Sequence, residues 1–218
     1  MPSDQELATF YQKYSDFKAP EDVTYLNAKK NVEILRKFDF SEDEYTLDFG
    51  TGGGEFVEVA GEKCYGVDFK ENRSSRIFKS MDALPIKKFG FITLWGVLEH
   101  LKNPASLIEE LSKKLNSKGK MVITTVDAES VIPYYYKPIE HLTYWTRNAL
   151  NQLFNQCGLD VICHEPYFMY QRSEIYLDRL LSRTPAAYQA AFSHVTDNLP
   201  EYVKVPTNET FVVAQLRH

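Results

Sequence analysis

Twelve residues, Tyr45-Thr46-Leu47-Asp48-Phe49-Gly50-Thr51-Gly52-Gly53-Gly54-Glu55-Phe56, restrict the fold more than any other part of the chain. A short apolar run ends in a carboxylate, and glycine fills positions 50, 52, 53 and 54. Apolar residues resume at Phe56, Val57, Val59 and Ala60. The pattern predicts a buried strand, a tight turn and the start of a helix. Glycines at such a corner accept positive φ and, lacking Cβ, let a ligand lie against the backbone. The helix that follows turns unpaired N–H groups toward that ligand. Nucleotide-type cofactors bind where such a turn leaves the carboxyl end of a parallel sheet. A glycine-rich loop with no ligand is the plainer alternative.

The glycine register separates two cofactor classes. The dinucleotide fingerprint G-x-G-x-x-G, counted from Gly50 and Gly52, needs a third glycine where Glu55 stands. The chain instead reads D-x-G-x-G-x-G from Asp48, which resembles the first motif of the class I S-adenosylmethionine (SAM)-dependent methyltransferases. That resemblance implies that Asp48 and the backbone of Gly50, Gly52 and Gly54 face the methionine part of SAM. A second strand, Cys64 to Val67, ends at Asp68, 18 residues beyond Gly50. A carboxylate there can accept two hydrogen bonds from the ribose diol, with Phe69 beside it, or simply cap the following turn.

Two further stretches strengthen the likeness. Met81-Asp82-Ala83-Leu84-Pro85 and the run from Phe89 to Pro104, which contains Val97-Leu98-Glu99-His100-Leu101, are similar to the family's D-A-x-x-L-P and F-D-x-I-x-x-x-x-V-L-E-H-L-x-x-P elements. The resemblance implies that Asp82, beside Ala83, accepts from the adenine amino group and that Trp95 lies under the cofactor. Gly90 departs from it, since many relatives carry Asp there. His141 to Thr146, followed by a helix closing at Gly158-Leu159, resembles the H-x-x-x-[FW]-[ST] element of a small-molecule subgroup. The likeness covers about residues 45 to 165. It implies an α/β, Rossmann-like sheet of seven strands in order 3-2-1-4-5-7-6, the last antiparallel, with helices on both faces. One domain over 1–218 is expected, with N-terminal cap helices in 1–40 and the core in 45–218.

Local signals fill in the rest. Ser3 to Glu6 has capping-box spacing ahead of an amphipathic helix carrying Tyr11 and Tyr14. Pro20 opens a second helix through Val23, Leu26, Ile34 and Leu35. A weak third strand falls near Ile77 to Ser80, after a short helix over 70–76. Asn103-Pro104 starts a helix that Ser117-Lys118-Gly119 would end, and Lys120 to Thr125 reads as the fifth strand. Thr146 caps another helix; strands follow at Leu159 to Tyr167 and Thr210 to Leu216, with helices over 175–181 and 185–192 between them.

Composition narrows the partners. A net charge of −5 argues against a nucleic-acid partner, which ordinarily meets a basic face. No apolar run reaches membrane-span length, and the polar, acidic N-terminus does not read as a signal peptide. Three cysteines with no C-x-x-C pair fit a reducing, cytoplasmic setting. A homodimer stays open.

Methyl transfer from a sulfonium chiefly requires positioning and exclusion of water, but an oxygen acceptor also needs its proton removed. His141, in a long aromatic loop after the fifth strand, is the first candidate base and His100 the second; each can equally be a structural hydrogen-bonder. Tyr11, Tyr14, Tyr135 and Tyr144 are candidate acceptor-lining residues. Glu99-His100 and Glu140-His141 could meet around a metal, yet neither pair has the i,i+4 spacing of a two-ligand helix, so no metal is expected. Fourth-strand residues Leu94 to Val97 lack the [ND]-P-P-[YFW] element typical of relatives that methylate base amino groups. The expected function is methyl transfer from SAM, yielding S-adenosylhomocysteine (SAH), to a small-molecule acceptor, most simply at oxygen. A SAM-binding module without activity and a nicotinamide-dependent oxidoreductase are the alternatives.

Overall fold

A computed structural model describes residues 2–13, 20–70, 74–130, 137, 139–182 and 199–217. Two helices, α1 (Asp4–Lys13) and α2 (Glu21–Arg36), precede the sheet. The predicted capping box forms: the Ser3 amide donates to Glu6 Oε2 at 2.7 Å and the Glu6 amide to Ser3 Oγ at 3.3 Å. The core then runs β1 (Thr46–Phe49), α3 (Glu55–Val59), β2 (Cys64–Val67), β3 (Ile77–Phe78), β4 (Phe89–Trp95), α4 (Pro104–Ser112), β5 (Leu115–Val126), α5 (Arg147–Gln156), β6 (Leu159–Arg172), α6 (Ser173–Leu181) and β7 (Tyr202–Leu216). The sheet order is β3-β2-β1-β4-β5-β7-β6. β7 runs antiparallel to both its neighbours, as expected.

The central strands β1, β2 and β4 are buried on both faces, so they read as apolar runs rather than alternations. Side-chain direction still alternates with period two. Met121, Ile123, Val212 and Ala214 pack with Ile108 and Leu111 of α4 and Leu150 and Phe154 of α5. On the other face Val122, Phe211 and Val213 pack with Phe56 and Val57 of α3 and Ala28, Val32 and Leu35 of α2. The result is three layers, with α2 and α3 on one side and α4 and α5 on the other.

Three boundaries differ from expectation. α4 ends at Ser112, and Ser117 to Gly119 lie inside β5. The chain already pairs at Leu115 with Phe89, and a bulge absorbs the extra residues before Lys120 meets Phe91. β3 is only Ile77–Phe78; the short helix expected over 70–76 falls partly outside the described residues, and the one over 185–192 lies wholly outside them. β6 and β7 extend well past Tyr167 and before Thr210, pairing from Phe168 with Pro206 to Arg172 with Tyr202.

That extension carries the wall against which α2 is sewn. Asn27 Nδ2 donates to the Tyr170 carbonyl at 3.0 Å, and the Tyr170 amide donates to Asn27 Oδ1 at 2.8 Å. Lys30 Nζ donates to the Phe168 carbonyl, and the Tyr167 hydroxyl donates to Asn31 Oδ1 at 2.8 Å. Further out, Arg172 Nε meets Asp22 Oδ2 at 2.9 Å. Replacing Asn27 by Leu orphans both backbone groups of Tyr170. We expect a loss of about 2 kcal/mol, or a Tm lower by roughly 5 °C for a chain of this size, in thermal unfolding; an unchanged Tm would show that α2 docks by apolar contact alone.

Candidate active site

The strand order reverses between β1 and β4, so their carboxyl ends leave a crevice open between the connections to either side. There Gly50, Gly52 and Gly54 all adopt positive φ, at 74°, 58° and 92°. The two inner glycines serve different needs. A Cβ on Gly50 would sit 2.6 Å from Val97 Cγ2, so the corner packs against the β4 end there. Among the described residues, a Cβ on Gly52 would meet nothing within 4 Å, so a side chain there would project into open space. Gly54 caps α3, a helix of only 5 residues.

That open space is a cleft of about 340 Å³, in the size range of small-ligand sites. Its floor is the glycine corner with Asp48 and Glu55; its lid is α2, through Thr24, Asn27 and Asn31; its far wall is Trp95, Tyr167 and Met169. Phe56 and Trp95 rings lie 5.4 Å apart, and Trp95 stacks on Tyr167 at 6.2 Å and 25°. Among the described residues the buried Trp95 indole N–H has no hydrogen-bond partner. A buried donor left so on the wall of a cleft is what a ligand acceptor atom would satisfy.

Asp48 is 2% exposed and accepts the Thr93 hydroxyl at 2.6 Å. Burial pushes its carboxyl up to about 7, against the lowering effect of Thr93. Asp68 is engaged by backbone: Oδ2 accepts the Gly52 amide at 2.8 Å and Oδ1 the Lys70 amide at 2.9 Å. It therefore fixes the glycine corner, and each oxygen keeps further acceptor capacity for a diol. Phe69 is exposed, and Asp82 and Ala83 sit on an exposed 3-10 turn, Met81–Ala83. These lie beyond the ends of β2 and β3, outside the cleft lining.

The two histidines, 41 residues apart in sequence, meet. Their rings lie 5.0 Å apart at 77°. The Glu99 carbonyl accepts the amides of Leu142 at 2.7 Å and Thr143 at 3.2 Å, which pins the segment after His141 to the turn Leu98–His100. His100 Nδ1 lies 2.8 Å from the Glu140 carbonyl, and His141 Nε2 3.7 Å from Glu140 Oε1. Burial lowers His100. Burial and the neighbouring Glu209 push Glu99 up to about 8. The two Glu-His pairs thus converge, contrary to what their spacing suggested. Glu99, His100 and His141 offer ligand atoms all within 4.8 Å of one another.

Of the candidate acceptor residues, Tyr144 lies edge-on to His141 at 6.1 Å, and its hydroxyl accepts the Lys137 amide at 3.0 Å. Tyr14 and Tyr135 lie outside the described residues, as does the side chain of Tyr11 on α1. Asn27, Asn31, Tyr167 and Met169 were not legible as site residues. The signal available was the series Val23, Asn27, Asn31, Leu35, which puts two amides in phase with an apolar helix face.

A profile described as a methyltransferase domain matches residues 21–164. An uncharacterized protein of Methanocaldococcus jannaschii is 25% identical over 150 residues, covering 64% of this chain and 70% of that one. A SAM-dependent methyltransferase from Archaeoglobus fulgidus superposes with a TM-score of 0.56 at 19% identity, over 86% of this chain and 94% of that one. Burkholderia thailandensis 1,6-didemethyltoxoflavin-N1-methyltransferase, solved with 1,6-didemethyltoxoflavin and SAH, gives 0.62 at 13% identity over 100% of this chain and 92% of that one.

The glycine pair offers a direct check on which backbone faces the cofactor. Gly50→Ala should cost about 2 kcal/mol or more of stability, combining left-handed strain with the Val97 clash. Gly52→Ala should cost only about 1 kcal/mol yet weaken SAH binding at least tenfold, because its methyl projects into the cleft; calorimetry showing undiminished affinity would place the cofactor elsewhere. The chain belongs to the methyltransferase-domain family, with the fold of the class I SAM-dependent methyltransferases.

Proposed function

We propose that the cleft between the glycine corner and α2 binds SAM and that the protein methylates a small-molecule acceptor at oxygen. The observation that carries this reading is the open space a Cβ on Gly52 would enter, flanked by buried Asp48 and by a Trp95 N–H with no partner among the described residues. Asp48 and the amides of the corner would hold the methionine end, and Asp68, Asp82 and Ala83 the adenosine end. When bound, SAM supplies a sulfonium methyl whose transfer to a hydroxyl breaks S–CH3, forms O–CH3 and releases SAH and a proton. The chain's part is to align the acceptor, keep water out with α2 and the aromatic wall, and take up that proton. The Glu99, His100 and His141 group, on the turn that follows β4 and the segment pinned to it, supports oxygen over an already nucleophilic amine.

Calorimetry with SAM, SAH and NAD tests the cofactor. SAM and SAH should bind and NAD should not; NAD binding alone would refute the reading. Acceptors can then be screened by SAH release, with the site of methylation read from the product.

Asp48 gives the binding a pH dependence. Its folded-state carboxyl is raised, so in the free protein it loses stability as pH climbs from about 4 to about 7, the reverse of a paired carboxylate. A cationic α-ammonium beside it favours the ionised form. SAM affinity should therefore rise over that same window, level off above about 7, and release a proton near pH 6 in calorimetry across buffers. Asp48→Asn should remove the slope; a slope that persists would detach Asp48 from the cofactor.

A further inference from the structure

The convergence of two sequence-distant Glu-His pairs is more ordered than a general base requires. We propose that Glu99, His100 and His141 bind one divalent transition-metal cation. Each contributes a ligand atom, and the three lie within 4.8 Å of one another. Bond lengths near 2.1 Å would put tetrahedral ligand atoms roughly 3.4 Å apart, so loading needs a contraction of about an ångström through side-chain rotation.

What surrounds these atoms is what orients metal ligands. A carbonyl only accepts, so the 2.8 Å contact from Glu140 fixes the proton on His100 Nδ1 and makes Nε2 the lone-pair nitrogen of the neutral ring. The Thr125 hydroxyl donates to Glu99 Oε2 at 2.9 Å and sets that carboxylate's rotation. The two amides donated to the Glu99 carbonyl hold the backbone of the 141–143 segment in place. Glu99 and His141 are 2% and 6% exposed, so their ligand atoms are shielded from competing water, and His100 is half-buried. Lys137 Nζ, 3.1 Å from Glu140 Oε1, is balanced by that carboxylate rather than facing the cation alone. Two imidazoles and one carboxylate suit zinc, cobalt, manganese or iron(II) better than magnesium or calcium. Three protein ligands leave a position open. If the methyl-transfer reading holds, an acceptor oxygen would enter there and lose its proton more readily; the metal site itself does not depend on that reading.

The test uses the full chain, stripped with a chelator and titrated with Co2+. One Co2+ should bind per chain, with a visible absorption band and paramagnetically shifted ring N–H signals from two histidines. Glu99→Gln and His141→Ala should each weaken binding by more than about 100-fold, and Thr125→Val by about 10-fold, as for loss of an orienting hydrogen bond. SAH titration of each variant reports whether the fold persists. No stoichiometric Co2+ binding, or equal affinity in all variants, would overturn the proposal. Should the variants fail to fold, the wild-type signals decide: two shifted rings support it and none refutes it. Failure of SAH to bind while Co2+ binds would sink the methyl-transfer reading and leave the metal site standing.

Discussion

The central strand ends in a carboxylate that has nowhere to be solvated. Asp48, paired through β1 to β2 on one side and β4 on the other, is buried and held by Thr93 across the sheet. Directly after it the chain must turn left-handed three times within five residues, which only glycine does cheaply. Asp68 then accepts the Gly52 amide, so the end of β2 locks the corner at the end of β1. Everything that makes the site follows from that corner: the open backbone, the cleft above it and the place α2 must occupy to close it.

The lid is polar where a packing helix would be apolar. Asn27, Lys30 and Asn31 are each about 5% exposed, and they bond the backbone and the Tyr167 hydroxyl of the β6 extension. Lys30 also sits 3.7 Å over the Tyr167 ring, and burial pushes its ammonium down to about 7 despite the opposing Glu209 charge. Directional bonds fix a helix in rotation as well as position, whereas apolar contacts alone tolerate sliding. Thr24 and Asn31, which line the cleft, are thereby held at fixed positions over it.

Much of the fold was legible in the sequence because its signals are local. The glycine corner, the Asn103 and Thr146 caps and the apolar strands place nearly every element, and the family resemblance supplies the strand order. The extension of β7 back to Tyr202 was hidden by Pro206, which argues against a strand yet sits beside a bulge, where a missing N–H is tolerated. Asp48 and the glycines could be placed at the cleft because they lie within a few residues of one another in the chain. Asn27, Asn31 and Tyr167 were not, since their role depends on a helix meeting a strand some 140 residues later. The meeting of His100 and His141 was hidden for a similar reason: it rests on backbone bonds from Leu142 and Thr143 to Glu99, which no residue type announces.

Amide hydrogen exchange with and without SAH tests the placement of the cofactor most directly. Slowed exchange is expected at the amides of residues 50–54 and along the α2 face bearing Thr24, Asn27 and Asn31, with little change on the α4 and α5 side. Protection confined to that opposite side, or none at the glycine corner under saturating SAH, would contradict the account.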